Sequence, residues 1–221
     1  MLIVAMNYLT YIVISVEIIA ALAATFYFYK YKNTTLKWLL PLLWYIPANE
    51  IFCNFIVSRS FFYPFYNLYD IIVSVSILLI IKSQLRTRVR KKILRYLIIA
   101  CLISFIINML LINPLKEFTT GAFTFSACLI VVALLYYLIE LLKIDEILNP
   151  SHNIFLWISA GFLIFHISYP ILYFSRRFLN AGSLAFYNSL DKLHVTVVVL
   201  SYKTITFGFF WGKKMESAIT N

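Results

Sequence analysis

The residues of this chain that could do chemistry are a few charged and amide side chains inside otherwise apolar stretches. Glu17, Glu50 and Asp70 are acids that could hold a proton or face a cation, and Lys203 is a base at the depth of Glu17 and Glu50, with Asp70 nearer the outer face. A charge in hydrocarbon costs about 2.5–3.5 kcal/mol on insertion scales, so such residues are expected to face the interior of a helical bundle. The candidate site residues are Asn49, Glu50, Asn54, Asp70, His166 and Lys203, with Glu17 as a further buried acid.

Two arrangements of these residues agree with their spacing. In the first, Glu50 and Asn54, four residues apart on one helix face, line a polar pocket with Asp70 and Lys203. In the second, Lys203 forms a buried ion pair with Glu17 or Glu50, which fastens the first and last helices together. The sequence leaves both arrangements open.

Known catalytic and metal-binding patterns are missing from the chain. There is no HExxH metal motif, no GxSxG nucleophile motif and no glycine-rich phosphate loop. Cys53, Cys101 and Cys128 lie in apolar stretches without CxxC spacing, which is typical of cysteines that fill a helix interface. The sequence therefore predicts no catalytic residue, no metal site and no cofactor, and it favours a protein that is not an enzyme.

The composition indicates a membrane protein. Of the 221 residues, 62% are hydrophobic and only 13% are charged, whereas soluble domains have about 45–50% and 25%. A bilayer span needs about 20 apolar residues. The predicted fold is all-α, a single transmembrane domain over 1–221 with seven helices at about 7–29, 38–57, 65–81, 93–113, 121–142, 154–174 and 193–212.

The basic segment Lys82–Arg95 sets the predicted orientation. It contains seven of the 19 Lys and Arg residues, and basic residues near span ends are retained in the cytoplasm. With this loop inside, 13 basic residues face the cytoplasm and five face outward, which puts the N-terminus outside and the C-terminus in the cytoplasm. Glu140 and Lys143 are then expected at a solvated inner helix end. The net charge of +10 is assigned to orientation and to contact with lipid headgroups, not to nucleic acid.

Some features are similar to the microbial rhodopsins. The sixth helix contains HISYPILY, whose aromatic and proline spacing resembles the WxxYPxxW stretch of that family. The resemblance implies retinal, with Lys203 as its Schiff-base lysine and Asp70 as the counter-ion. The chain departs from that pattern at Val199, where an acid is expected, and at His166, where a tryptophan is expected.

A resemblance over nearly the whole chain is to a family of uncharacterised seven-helix inner-membrane proteins typical of Bacteroidetes. The stretches that carry it are, in order, YKNTTLKWLLPLLWYIPANEIF, YNLYDIIVSVSILL, FLWISAGFLIFH and FGFFWGKK. This resemblance implies the seven-helix fold and a multi-pass location in a bacterial inner membrane. It implies no activity.

The functional hypothesis is a receptor-like or partner-binding membrane module with a polar pocket in the outer half. Since no soluble output domain is visible, such a sensor would need a membrane protein or a kinase as its partner. A small proton-coupled transporter that uses Glu17, Glu50 or Asp70 as proton carrier is the alternative, and a retinal protein is the third hypothesis.

Overall fold

The computed structural model describes residues 2–57, 59–142, 153–178 and 184–213, and this part of the chain consists of helices joined by short connections, with no strand. Lys143 and Lys214, which entered the predicted orientation, lie outside these ranges. The α-helices are α1 Leu2–Phe26, α2 Leu39–Phe55, α3 Arg59–Gln84, α4 Arg88–Leu111, α5 Thr120–Leu142, α6 Ile154–Phe178 and α7 Leu184–Trp211. Short 3₁₀ turns at Phe28–Lys30 and Thr35–Trp38 connect α1 to α2.

Six of these helices, all except α2, are long and apolar enough to cross a bilayer. Their outward faces carry large exposed apolar side chains such as Phe26, Ile106 and Leu110. In water such faces would be costly, whereas lipid accepts them. The chain is therefore an integral, multi-pass membrane protein in contact with the bilayer.

The short helix α2 follows directly on a 3₁₀ turn. It has 17 residues and the turn has four, which together give about 33 Å of helical length. The hydrocarbon core of a bilayer is about 30 Å thick. The length is thus sufficient for a seventh span, which remains part of the proposal below.

Four helices, α1, α3, α4 and α7, begin about five or more residues before the predicted spans. α3 starts at Arg59, ahead of the predicted 65–81 span, and α7 starts at Leu184, ahead of 193–212. Hydropathy marks the part of a helix that lies in hydrocarbon, while backbone hydrogen bonds carry the helix on into the headgroup region.

Glycines allow α6 and α7 to approach closely. A Cβ on Gly161 of α6 would lie 2.5 Å from Cγ1 of Ile205 and 2.7 Å from the carbonyl oxygen of Ser201. A Cβ on Gly208 of α7 would lie 2.6 Å from Cβ of Trp157. Small residues at helix contacts are the usual means of tight association in membranes.

Glu140, near the end of α5, binds the start of α4 beside the basic segment. Its Oε1 accepts hydrogen bonds from the backbone N–H groups of Arg86 (2.5 Å) and Thr87 (2.8 Å), just before α4 begins. Its Oε2 pairs with Nη1 of Arg90 at 3.2 Å. Because Glu140 is only 6% exposed, the expectation of a solvated residue was wrong. The carboxylate satisfies free amides at a helix N-terminus.

Lys30 connects the α1–α2 turn to the end of α7. Its Nζ donates to the carbonyl oxygens of Phe209 (2.9 Å), Phe210 (3.2 Å) and Gly212 (2.7 Å). These are carbonyls at a helix C-terminus, where a cation is favourable.

Asn67 closes the opposite end of the bundle. Its Nδ2 donates to the carbonyl oxygens of Pro114 (2.9 Å) and Glu117 (3.0 Å) in the α4–α5 connection. Its Oδ1 accepts from the backbone N–H (2.8 Å) and the hydroxyl (3.2 Å) of Thr119. Every polar atom of this buried side chain is thus satisfied, as expected of a structural residue.

Candidate functional site

A cavity of about 570 Å³ lies between α1, α2, α3, α5, α6 and α7. Its α5 lining is confined to Thr120 and Phe123 in the first turn, and Phe118 precedes them. The other end of α5 carries Glu140, which contacts the basic segment. The cavity therefore extends from the middle of the bundle toward the end remote from that segment.

Helical periodicity explains which residues reach the cavity. On α3 the lining residues are Tyr66, Tyr69, Asp70, Val73 and Ile77, whose spacings of three and four place them on one face. α6 and α7 follow the same rule, with Phe162, Phe165, His166 and Tyr169 on α6 and His194, Val198, Ser201, Tyr202 and Ile205 on α7.

Three acids from three different helices line this one cavity. Glu17 comes from the middle of α1, Glu50 from α2 and Asp70 from α3. Glu50 is close enough to both of the others to interact electrostatically with each. Sequence reasoning named all three acids, and the structure brings them together.

Glu50 has two hydrogen-bond donors. The hydroxyl of Tyr66 donates to its Oε2 at 2.7 Å, and Nδ2 of Asn54 donates to the same oxygen at 3.0 Å. Asn54 itself is exposed and supports Glu50 without lining the cavity. These neutral donors stabilise negative charge on Glu50.

Glu17 is held differently. It is 5% exposed, and within the described part of the chain its Oε2 has no hydrogen-bond partner. The Tyr202 side chain of α7 interacts with the same carboxyl group. A buried polar atom without a partner costs free energy, so its presence beside a cavity needs an explanation.

His166 presents an acceptor to the same cavity. The ring is 3% exposed, and its Nδ1 lies 2.8 Å from the carbonyl oxygen of Phe162 one turn earlier. Since a carbonyl can only accept, Nδ1 carries the proton and Nε2 of the neutral ring is left as an acceptor. Its ring also contacts that of Phe165, with centroids 5.1 Å apart.

The two remaining candidates do not line the cavity. Asn49 is buried, and its Oδ1 lies 3.8 Å from Sγ of Cys53. Lys203 is exposed on the outer side of α7, so the structure does not bring it together with Glu17. Among the described residues that line the cavity there is no Lys and no Arg. No group of three or more His, Cys, Asp or Glu side chains within the described ranges could hold a metal ion.

Sequence reasoning missed the aromatic half of the site. Tyr66, Tyr69 and Tyr202 border the acids, while Phe123 and Tyr169 contact each other with ring centroids 4.5 Å apart. The available signal was spacing from the acids. Tyr66 lies four residues before Asp70, which puts both on one face of α3.

Comparisons of the chain with protein-family models, with curated proteins and with solved structures gave no match. The resemblance to the inner-membrane family of Bacteroidetes stays a prediction.

Proposed function

We propose that this integral membrane protein is a receptor-like module that binds a small molecule in the cavity around Glu17, Glu50 and Asp70. A volume of about 570 Å³ falls in the range of small-molecule sites, about 300–1,000 Å³. The lining of mainly aromatic and aliphatic side chains with a few convergent polar groups is also typical of such sites.

The observation that carries the proposal is the difference between Glu17 and the structural polar residues of the bundle. Asn67 has a partner for each polar atom, and the buried hydroxyls of Ser74 and Ser126 bond each other at 3.0 Å. Six buried polar atoms in the described part of the chain lack a partner, and among them only Oε2 of Glu17 belongs to a residue that lines the cavity. Residues that only fasten helices have no need of such an atom, whereas a ligand site does.

The orientation belongs to the same proposal. With seven spans and the basic segment in the cytoplasm, the cavity opens toward the outside of a bacterial inner membrane. A ligand would then enter past Thr120 and Phe118, which is 42% exposed. Signal output would pass to a partner protein, such as a kinase, at the cytoplasmic end.

Two positions on α7 give a matched test of the cavity. Val198 lines the cavity and is 3% exposed, while Leu200 is 51% exposed toward lipid. Neutral methyl methanethiosulfonate is applied to Val198→Cys and Leu200→Cys in lipid nanodiscs, and intact mass counts the adducts. The unaltered chain serves as the blank for its own cysteines.

We expect Val198→Cys to react at least about tenfold faster than Leu200→Cys. A thiol reacts as its thiolate, and the hydrocarbon around position 200 suppresses thiolate formation. Equal rates, or a Val198→Cys that stays unlabelled, would contradict a cavity that admits small molecules from water.

A proton-coupled transporter is the second candidate, favoured by three acids that share one cavity with no Lys and no Arg in its described lining. Alternating access distinguishes it from a receptor. In oriented vesicles, impermeant thiol reagents of either charge should reach Val198→Cys from one side for a receptor and from both sides for a transporter. A retinal protein has less support, because Lys203 lies outside the cavity where a Schiff base would have to form.

A further inference from the structure

Several polar groups that line the cavity offer hydrogen-bond acceptors. Glu17 contributes an unpartnered Oε2 on a side chain that is more than nine-tenths buried. His166 contributes Nε2, since its other ring nitrogen is used by the carbonyl of Phe162. Asp70 adds a carboxyl group with no hydrogen-bond partner among the described residues. A set of acceptors is complementary to a ligand that carries donors or positive charge.

The charge of the cavity is limited by physics. Three carboxylates in one low-dielectric space cannot all be ionised, because desolvation and mutual repulsion both oppose it. Glu50 accepts hydrogen bonds from two neutral donors, Tyr66 and Asn54. Ionisation of Glu50 therefore has the lowest free-energy cost of the three acids. The described lining contains two histidines, His166 and His194, but no Lys and no Arg, so a negative charge on Glu50 calls for a positive charge from outside.

The aromatic lining matches the rest of such a ligand. Tyr66 and Tyr69 lie next to the acids with ring centroids 6.1 Å apart, and Phe118 contacts Tyr66 at 5.9 Å. Faces of aromatic rings attract organic cations and also cover apolar groups. Hydrated inorganic cations would gain less from this surface.

We propose that the ligand is an organic monocation, a protonated amine or quaternary ammonium on an apolar body, whose charge pairs with Glu50. This inference rests on the proposed function and specifies its ligand class. Glu17, Asp70 and His166 then serve as neutral acceptors or as walls around the cation.

Charge selectivity at a cavity thiol tests the inference. Thr120→Cys, at the α5 end of the cavity, is reacted with three methanethiosulfonates: the cationic trimethylammonioethyl, the anionic sulfonatoethyl and the neutral methyl reagent. The rate of each reagent with the protein is divided by the rate of the same reagent with a free thiol. Val198→Cys repeats the measurement deeper in the cavity, should Thr120→Cys fail to fold. Phenyltrimethylammonium and benzenesulfonate are added separately as competitors of the neutral reagent.

We expect the cationic reagent to react at least about tenfold faster than the anionic one, since a charged cleft enriches one sign and repels the other. Glu50→Gln should reduce this ratio to below about threefold, whereas Asp70→Asn should change it little. Glu117→Gln is the matched control, because this exposed acid is near Phe118 but does not line the cavity. Phenyltrimethylammonium, but not benzenesulfonate, should protect the thiol.

The outcomes separate the two proposals. If the neutral reagent labels the cavity but the cation has no advantage, or keeps it in Glu50→Gln, the monocation is refuted and the binding cavity stands. If the neutral reagent labels neither Thr120→Cys nor Val198→Cys, the cavity does not admit small molecules and both proposals are wrong.

Discussion

Replacement of Glu17 by methionine should stabilise the protein. Glu17 is 5% exposed and its Oε2 has no partner within the described ranges, so the folded state bears the cost of an unsatisfied buried acceptor. Mutational data place that cost at about 1–3 kcal/mol. Methionine has a similar length and adapts to irregular space, so Glu17→Met should raise the free energy of unfolding by this amount, reduced by about 1 kcal/mol for the hydrogen bond that Tyr202 loses.

Asn67→Leu should instead lower the free energy of unfolding. This change removes the acceptor of the Thr119 amide and the donors to the Pro114 and Glu117 carbonyls. At about 1–3 kcal/mol for each buried group left unpaired, the loss should be about 3 kcal/mol or more. The two substitutions thus distinguish a polar residue kept for binding from one kept for structure.

Both variants are measured by unfolding in mixed dodecyl maltoside and SDS micelles, with tryptophan fluorescence as the signal. Free energies are compared at a common SDS fraction, where differences need little extrapolation. Glu17→Gln is the control, because it keeps the volume and a polar end and should change stability much less than Glu17→Met. A Glu17→Met that is destabilised by more than about 1 kcal/mol would refute the reasoning, since it would mean that the carboxyl is satisfied in the fold.

Three further substitutions test the packing that positions the cavity. Glu140→Ala should lose about 2–4 kcal/mol in the same assay, with faster hydrogen exchange at the Thr87 amide; unchanged exchange would contradict the role of Glu140 at the start of α4. Lys30→Met removes three hydrogen bonds and should lower the free energy of unfolding by about 1–3 kcal/mol, with faster exchange in the last turn of α7; an effect confined to α1 would contradict this. Gly161→Val should lower the free energy of unfolding by at least about 1–3 kcal/mol, because the added side chain would clash with Ile205. An unchanged free energy would show that α6 and α7 are less closely packed.

The membrane character of the fold was predictable because it is a property of composition. Runs of about 20 apolar residues have one stable solution in lipid, the helix, which satisfies its own backbone. The prediction of an all-α membrane bundle is confirmed to that level, with six helices long and apolar enough to span. The number of spans and the orientation stay predictions.

The acids of the site were predictable for a related reason. Glu17, Glu50 and Asp70 have short side chains, and at their depth they cannot reach water along the lipid face. They must turn inward, and inward-facing groups at similar depth meet. The structure shows this convergence in one cavity.

Lys203 does not turn inward as the acids do. A lysine can run its apolar stem along the helix surface and carry the ammonium toward a headgroup, so depth does not force it inward. Tyr202, one residue earlier and about 100° around α7, lines the cavity in its place. Sequence alone does not fix the rotation of a helix whose faces are nearly equally apolar.

Contacts between helices were beyond sequence reasoning as well. The bonds of Glu50 with Tyr66 and of Glu140 with the start of α4 join residues 16 and more than 50 positions apart. Whether a buried polar atom is satisfied depends on such partners. Asn67 has a hydrogen-bond partner for each polar atom, whereas Glu17 keeps one atom without a partner in the described part of the chain. This difference becomes visible only in the structure.

The distribution of charge gives the strongest reason to regard the cavity as functional. The chain has 19 Lys and Arg residues and nine acidic ones, yet three of the nine acids line the cavity and no Lys or Arg in the described ranges does. Orientation in the membrane requires the basic residues at the helix ends, and it requires no acid in the interior. Apolar side chains would pack this space at lower cost. The acids are therefore best explained by a positively charged occupant, and Glu50→Gln tests that explanation directly.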